Sequence, residues 1–138
     1  MSNPINTIAD PEGIQWFKSY LEENRYTNIN IPTNPYSPYD IEADKDGKHY
    51  LFEIKNRPCT STAFNDTIIE LMKFNILRGY NCEKYVVNFF KDCWYINNLL
   101  DEHEFQTHYA QRTNNWNRDK VKKILVSYKH KEENKREY

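Results

Sequence analysis

The chain has 138 residues, of which 19 are Lys or Arg and 20 are Asp or Glu, so its formal net charge is −1. This length predicts one domain, and a composition that is 38% hydrophobic and 15% aromatic excludes an intrinsically disordered chain. No apolar stretch approaches the length of about 18 residues that a membrane-spanning helix needs, and the near-neutral charge excludes a uniformly basic nucleic-acid-binding protein.

Cysteine usage and the N-terminus both indicate an intracellular protein. Cys59, Cys82 and Cys93 are odd in number and form no C-x-x-C pair, which predicts neither a disulfide framework nor a zinc site. The N-terminal segment 1–6 lacks the basic and apolar regions of a signal peptide. We therefore expect a cytoplasmic location.

The first predicted element is a helix that begins at Asp10-Pro11-Glu12 and ends near Asn24. A capping Asp, a proline at the first helical position and an acid in the first turn are typical helix-start signals. An apolar stripe at helical spacing predicts the buried face of this helix. The stripe consists of Ile14, Phe17 and Leu21, with Trp16 and Tyr20 alongside.

Residues 25–38 form a Pro- and Asn-containing loop with a short edge strand predicted at 28–31, and residues 39–55 then read as two strands around a tight turn. Apolar and charged residues alternate at period 2 in both strands. Asp46-Gly47 is the dipeptide that a two-residue type I′ turn prefers, because both central residues need positive φ. This turn fixes the register, with the pairs Lys45–Lys48, Ala43–Tyr50, Ile41–Phe52 and Asp40–Glu53.

The predicted hairpin has one charged face and one apolar face. On the charged face Asp40 opposes Glu53, with Glu42 and Lys55 on the same side. Opposed carboxylates cost on the order of 4 kcal/mol at about 4 Å and an effective dielectric of about 20. A divalent cation between Asp40 and Glu53 would turn this repulsion into a binding site; the alternative is an ordinary amphipathic hairpin whose charged face lies in solvent. The apolar face is predicted to hold Tyr39, Ile41, Ala43, Tyr50, Phe52 and Ile54.

Pro38-Tyr39-Asp40, followed on the next strand by Glu53-Ile54-Lys55, resembles the core motif of the PD-(D/E)XK nuclease superfamily. That superfamily includes many restriction enzymes, Holliday junction resolvases and phage nucleases. In this chain the proline stands two residues before the aspartate, not immediately before it. The resemblance covers about residues 10–96 and implies a restriction endonuclease-like core of αβββαβ type.

The resemblance also implies a set of site residues. Asp40 and Glu53 would hold Mg²⁺ or Mn²⁺, with the carbonyl of Ile54 as a third ligand, and Lys55 would contact the phosphate or the attacking water. In this family the start of the first helix often supplies a further acidic residue, and Glu12 is in that position. The alternative for Glu12 is that it only complements the helix dipole.

A second helix is predicted after the hairpin, capped by Asn65 or Asp66 and ending at Arg78-Gly79. In many relatives a Lys or Gln from this helix reaches the active site, and Lys73 matches that position. The alternative is a surface ion pair of Lys73 with Glu70 at i, i+3, worth a few tenths of a kcal/mol. The buried face of this helix is predicted to carry Ile68, Ile69, Met72 and Ile76.

Further strands are predicted at 85–90, which is nearly all apolar and therefore buried on both faces, and at 93–96. A helix that crosses over between parallel strands gives an α/β fold with a mixed central sheet flanked by helices. Residues 97–117 are ambiguous, and their segment 101–104 is either metal-binding by composition or a solvated helix or loop. A last strand is predicted at 122–128.

The whole chain, residues 1–138, is thus predicted to be one nuclease-like domain with a charged, frayed tail at 129–138. Residues 118–138 contain eight Lys or Arg and four acids, which leaves a net charge of −5 on the rest of the chain. An acidic metal pocket beside a basic segment suits an enzyme that cleaves phosphodiester bonds.

Two functional interpretations remain open at this point. The resemblance implies an Mg²⁺-dependent DNA endonuclease, and the family's substrates extend to branched DNA, for which a resolvase would act as a homodimer. The alternative is a non-catalytic protein on the same fold that binds nucleic acid or a host factor. DNA is the expected partner, with no membrane. Abundant Asn, Lys, Tyr and Ile often accompany AT-rich coding sequence, which fits the cytoplasm of a bacterium or of a phage-infected host cell.

Overall fold

The computed structural model describes residues 10–63, 67–99, 105–113 and 120–138. The elements are α1 (Asp10–Glu23), β1 (Thr27–Asn30), β2 (Ile41–Lys45), β3 (Lys48–Asn56), β4 (Thr67–Glu70), α2 (Leu71–Arg78), β5 (Glu83–Phe89), β6 (Trp94–Asn98), β7 (Phe105–Thr113), β8 (Lys120–Tyr128), a short 3-10 helix (Glu132–Asn134) and β9 (Lys135–Arg136). A six-stranded sheet has the order β1-β2-β3-β5-β6-β9, and a three-stranded sheet has the order β4-β8-β7.

The predicted α/β fold is confirmed, and its six-stranded sheet is mixed. Strands β3 and β5 run parallel, and the other neighbours in the six-stranded sheet are antiparallel. The connection from β3 to β5 contains α2, as a parallel pair requires a crossover. Within the described ranges, neither helix is long and apolar enough to cross a membrane.

Helix α1 packs on one face of the six-stranded sheet, as its apolar stripe predicts. Phe17 and Leu21 are fully buried against Phe52 and Ile54 of β3. Burying a side chain of this size contributes about 1.5–3 kcal/mol, so the stripe anchors the helix. Ile14, Trp16 and Tyr20 are partly buried around the same cluster.

The hairpin register is confirmed from the turn as far as Ile41, but the predicted cross-strand pair of Asp40 with Glu53 is not part of it, because the N–H of Asp40 donates to the carbonyl of Phe52, the partner of Ile41. Asp46 has φ 51° and Gly47 has φ 79°, the positive values that a type I′ turn needs. The partners are Lys45–Lys48, Ala43–Tyr50 and Ile41–Phe52, as predicted.

The predicted position of Tyr39 on the apolar face is wrong. Tyr39 precedes the first paired residue of β2, so the period-2 alternation does not extend to it. Its ring packs against the cluster on the opposite face of the sheet and meets the ring of Tyr80 edge-on at 6.0 Å. A hydrogen bond from its hydroxyl to Glu42, with burial as a second cause, raises the pKa of Tyr39 to about 12.

The prediction that the second helix includes residues 67–70 is also wrong. Residues 67–70 form strand β4, which pairs with β8, and α2 begins only at Leu71. Thr67, Ile68 and Ile69 are β-branched and fit a pleated strand once β8 supplies a partner. The predicted caps Asn65 and Asp66 lie outside the described residues.

The buried face of α2 differs from the predicted one for the same reason. Ile76 is 48% exposed, whereas Phe74 and Leu77 are buried. Phe74 and Leu77 lie in one cluster with Val86 of β5, and Ile69 joins this cluster from strand β4 instead of from the helix. The predicted end of the helix at Arg78 is confirmed.

Strand β5 is buried on both faces, as its apolar run predicts. Val86 belongs to the cluster under α2, while Val87 and Phe89 belong to the cluster under α1. The next strand, β6, pairs with β5 from Tyr85–Asn98 to Phe89–Trp94. The predicted last strand is confirmed as β8, and the segment 101–104 lies outside the described residues.

The prediction of a frayed tail is wrong. Strand β9 adds to the sheet through the pairs Trp94–Arg136 and Tyr95–Lys135. The hydroxyl of Tyr138 donates to the carbonyl of Phe90 at 2.5 Å, and its ring contacts α1. Although segment 129–138 is rich in charged residues, its aromatic residue Tyr138 packs against the core.

Candidate active site

Glu53 is the centre of the site. It lies in the middle of β3, between β2 and β5, and its side chain is only 2% exposed. Its neighbour across the parallel pair is Val86, which lies under Phe74 and Leu77 of α2. The charged face of the hairpin is therefore covered at Glu53, which excludes the simple solvated-face alternative for this residue.

Two lysines neutralise one oxygen of Glu53. Lys73 of α2 donates from Nζ to Oε1 at 2.8 Å, and Lys55 Nζ lies 3.2 Å from the same atom. Both lysine side chains remain about one-third exposed. Lys73 therefore contacts Glu53 and does more than pair with Glu70 on the surface.

Asp40 is held beside Glu53 by backbone hydrogen bonds. Its N–H donates to the carbonyl of Phe52 at 2.9 Å, and its Oδ2 accepts the N–H of Ile54 at 2.7 Å. Asp40 lies one residue before the first regular pair, Ile41–Phe52, and the bond to Ile54 fixes its carboxylate at the end of the strand pair. The charge of Asp40 acts on Glu53, so the two carboxylates are near each other, as predicted, although they do not form a cross-strand pair.

The electrostatics of the site oppose the ionisation of Glu53. Burial raises the pKa of Glu53, and the charge of Asp40 raises it further; Lys55 and Lys73 lower it without cancelling the first two effects. Burial also lowers the pKa of Lys73, but its hydrogen bond to Glu53 and the charges of Glu53 and Asp40 outweigh this and raise it. The ammonium of Lys73 therefore stays protonated.

The second oxygen of Glu53 is suited to a cation. Oε2 is buried and has no hydrogen-bond partner among the described residues. A buried carboxylate oxygen without a partner is costly, and Mg²⁺ prefers oxygen ligands and needs only one or two carboxylates beside substrate and water. The donor set of Asp40 and Glu53 fits that metal. The Ile54 carbonyl as a further ligand stays a prediction.

Glu12 does not join this pair in a metal cluster. It is exposed at the start of α1, which packs on the face of the sheet opposite Glu53. The described residues contain no group of three or more His, Cys, Asp or Glu side chains that could hold a metal ion. A metal at Asp40 and Glu53 would therefore rely on backbone, water or substrate for its remaining ligands.

A row of polar side chains continues from Glu53 along the same face. Arg57 follows Glu53 and Lys55 at period 2, and its Nε donates to Oδ1 of Asn88 at 3.0 Å. Asn88 is fully buried and donates in turn to the hydroxyl of Tyr128 at 2.7 Å. Sequence reasoning missed this row, although Arg57 keeps the strand period and Asn88 interrupts the apolar run 86–90, where a buried amide needs a partner.

Beyond this row lies a partly buried histidine, His130, whose ring meets the ring of Tyr128 edge-on at 5.5 Å. His130 bonds through Nδ1 to Oδ1 of Asn97 at 3.1 Å and through Nε2 to the hydroxyl of Thr67 at 2.6 Å. With Asn97 Oδ1 as acceptor, Nδ1 carries the proton and Nε2 accepts from Thr67. Burial, together with the charge of Arg57, lowers the pKa of His130 to about 4, so the ring is neutral and structural at neutral pH.

No protein-family model, curated protein or solved structure matches this chain. The interpretation of the site therefore depends on the arrangement of Asp40, Glu53, Lys55 and Lys73 alone.

Proposed function

We propose that this protein is an Mg²⁺- or Mn²⁺-dependent DNA endonuclease that hydrolyses phosphodiester bonds. One observation carries the proposal: the buried carboxylate of Glu53 lies beside Asp40 and two lysines, and its Oε2 has no hydrogen-bond partner among the described residues. A purely structural ion pair would satisfy both oxygens, because leaving one buried acceptor unpaired costs about 1–3 kcal/mol.

The order of elements supports a restriction endonuclease-like core. Helix α1 is followed by β1, β2 and β3, then by α2 and β5, with the short strand β4 added before α2. The two proposed metal-binding carboxylates lie at one end of the β2–β3 pair, and Lys73 comes from the crossover helix. This is the αβββαβ order that the sequence resemblance implies.

The charges at the site suit a phosphate. Asp40, Glu53, Lys55 and Lys73 sum to zero formal charge, and a bound divalent cation would make the group positive. Such a metal would act as a Lewis acid and would activate a bound water. Asp40 and Glu53 would hold it through carboxylate oxygens.

The lysines have a separate role in this proposal. The side chains of Lys55 and Lys73 are about one-third exposed, so their ammonium groups can face a bound phosphate from the solvent side. There they stabilise the negative charge that develops on its oxygens. Asp40, fixed by the N–H of Ile54, needs no rearrangement to act as a ligand, which limits the cost of assembling the site.

The test is cleavage of plasmid, single-stranded and four-way-junction DNA in Mg²⁺ or Mn²⁺. We expect metal-dependent cutting by the wild type and a loss of at least about 100-fold in Glu53→Ala and in Lys55→Ala, as is typical when an electrostatic catalytic group is removed. Lys91→Ala is the matched control, since Lys91 is exposed and lies outside the site.

Three outcomes separate the functional alternatives. Cutting that Glu53→Ala leaves unchanged would refute the site. DNA binding without cutting, equally strong in both variants, would instead favour the non-catalytic binding protein. Preference for the four-way junction, together with a dimer in solution, would identify a junction resolvase.

A further inference from the structure

A groove of about 230 Å³ opens next to the Lys73–Glu53 pair. One wall is the turn formed by residues 35–38, and the other is formed by Glu70 at the end of β4 and by Lys73 and Ile76 of α2. Lys73 links the groove to Glu53, and the turn leads within two residues to Asp40. The groove is thus continuous with the proposed active site on both sides.

The turn presents an aromatic ring to solvent. Tyr36 is 90% exposed, the most exposed large hydrophobic residue in the described part of the chain. Its backbone is nevertheless fixed, because its N–H donates to Oδ1 of Asn34 at 2.9 Å and the N–H of Ser37 donates to the carbonyl of Asn34 at 3.1 Å. Pro35 restricts the backbone further. A rigid turn that holds a free ring is suited to stacking on a flat partner.

The size and the charge of the groove limit the kinds of ligand that it can bind. The groove is smaller than the roughly 300–1,000 Å³ of complete small-molecule sites, so it admits a part of a ligand such as one ring system. Glu70 on its wall disfavours a phosphate, whereas an uncharged base is compatible with it. The phosphate attached to that base would lie toward Lys73, whose side chain lines the groove.

We propose that this groove binds one unpaired nucleobase of the substrate strand, with Tyr36 stacking on its face. This inference rests on the proposed nuclease function and specifies its substrate class. A base in intact duplex is stacked on both sides by its neighbours, so Tyr36 needs a single strand, an end or a branch point where a base is free. Base–aromatic stacking of this kind tolerates any sequence.

The first experiment measures binding without cleavage. A single-stranded oligonucleotide that carries 2-aminopurine is titrated with protein in the absence of divalent metal, and the quenching of its fluorescence reports stacking. We expect Tyr36→Ala to weaken binding at least fivefold and to abolish the quenching, since one base–aromatic stack accounts for about 5- to 150-fold in affinity. Tyr36→Phe keeps the ring and should retain both. Tyr80→Ala is a second control, because Tyr80 is 40% exposed but does not line the groove.

Equal binding and quenching by wild type and Tyr36→Ala would overturn the inference, as would equal affinity for the matching duplex. The Glu53→Gln variant separates this result from the nuclease proposal. Loss of cutting in Glu53→Gln with quenching that still depends on Tyr36 supports both proposals. If the wild type cuts no DNA in Mg²⁺ or Mn²⁺ while the quenching depends on Tyr36, the nuclease proposal fails and the base-binding groove stands.

Discussion

Replacing Glu53 with Gln should stabilise the protein while removing its proposed activity. The change keeps the shape of the side chain and removes one buried negative charge. In the wild type that charge is desolvated and lies close to Asp40, and these two effects raise the pKa of Glu53 despite its lysine partners. A raised carboxyl pKa means that ionised Glu53 is less stable in the folded protein than in the unfolded chain.

The expected change in stability depends on how exposed the two lysine partners of Glu53 are. Lys55 and Lys73 are 34% and 32% exposed, so each can turn to water, and losing each ion pair costs about 0.5–1 kcal/mol. Removing the charge recovers a desolvation penalty of several kcal/mol per buried ion. We expect a net stabilisation of about 1–2 kcal/mol at pH 7, taking these opposing terms together.

The dependence of this difference on pH tests the cause. The ordinary pKa of Glu53 is 4.5 and its folded pKa is higher. Below pH 4.5 the carboxyl is neutral in both states, so no ionisation cost is present. As the pH rises above 4.5, the unfolded chain ionises first and the wild type loses stability relative to the Gln variant, until the folded pKa is passed.

Urea unfolding of both proteins from pH 4 to 8 measures this difference. Glu132→Gln is the control, since Glu132 is 83% exposed and lies 3.8 Å from Lys135; it should change stability by less than about 0.5 kcal/mol. A Glu53→Gln variant less stable than the wild type by about 3 kcal/mol at pH 7 would refute the reasoning, because a loss of that size is typical when a buried charge is left without its partner, and the lysines would then not have turned to water.

Three further predictions concern other parts of the molecule. Because the pKa of His130 falls from 6.5 to about 4 on folding, stability should drop by about 3 kcal/mol between pH 6.5 and pH 4; urea unfolding of His130→Gln should lack this drop, and an unchanged drop would contradict it. Tyr138→Ala should cost about 2–4 kcal/mol in the same assay, and Tyr138→Phe about 1 kcal/mol; a loss below 0.5 kcal/mol for the alanine variant would show that the tail does not pack. Lys73→Met should lower kcat/KM for DNA cleavage by about 10- to 100-fold, whereas Lys91→Met should not, and equal rates would exclude Lys73 from the site.

The elements that sequence reasoning predicted correctly are those whose signals are local. The apolar stripe of Phe17 and Leu21 predicts α1 from residues of that helix alone. Asp46-Gly47 sets the hairpin register from only two residues. The register in turn predicted that Asp40 and Glu53 would come together, because a two-residue turn leaves the strands no freedom to slip.

The elements that it missed depend on distant partners. Thr67–Glu70 has too few residues to distinguish helix from strand by period, and the choice follows from pairing with β8 more than 50 residues later. The charged segment 129–138 reads as a solvated tail, yet β6 offers it a free strand edge and Tyr138 finds acceptors at Phe90 and Cys93.

By itself the sequence determined the α/β order, the hairpin and the proximity of Asp40 to Glu53, since periodicity and turn chemistry act between near neighbours. Only the tertiary structure decided that Glu53 is buried, that Lys73 reaches it and that Tyr36, which lines the same groove as Lys73, stays in solvent. Burial depends on what packs over a residue, and here the covering side chains of α2 and Tyr128 come from chain segments far from Glu53. The charged face of a strand therefore becomes a desolvated site only when residues from distant parts of the chain pack over it.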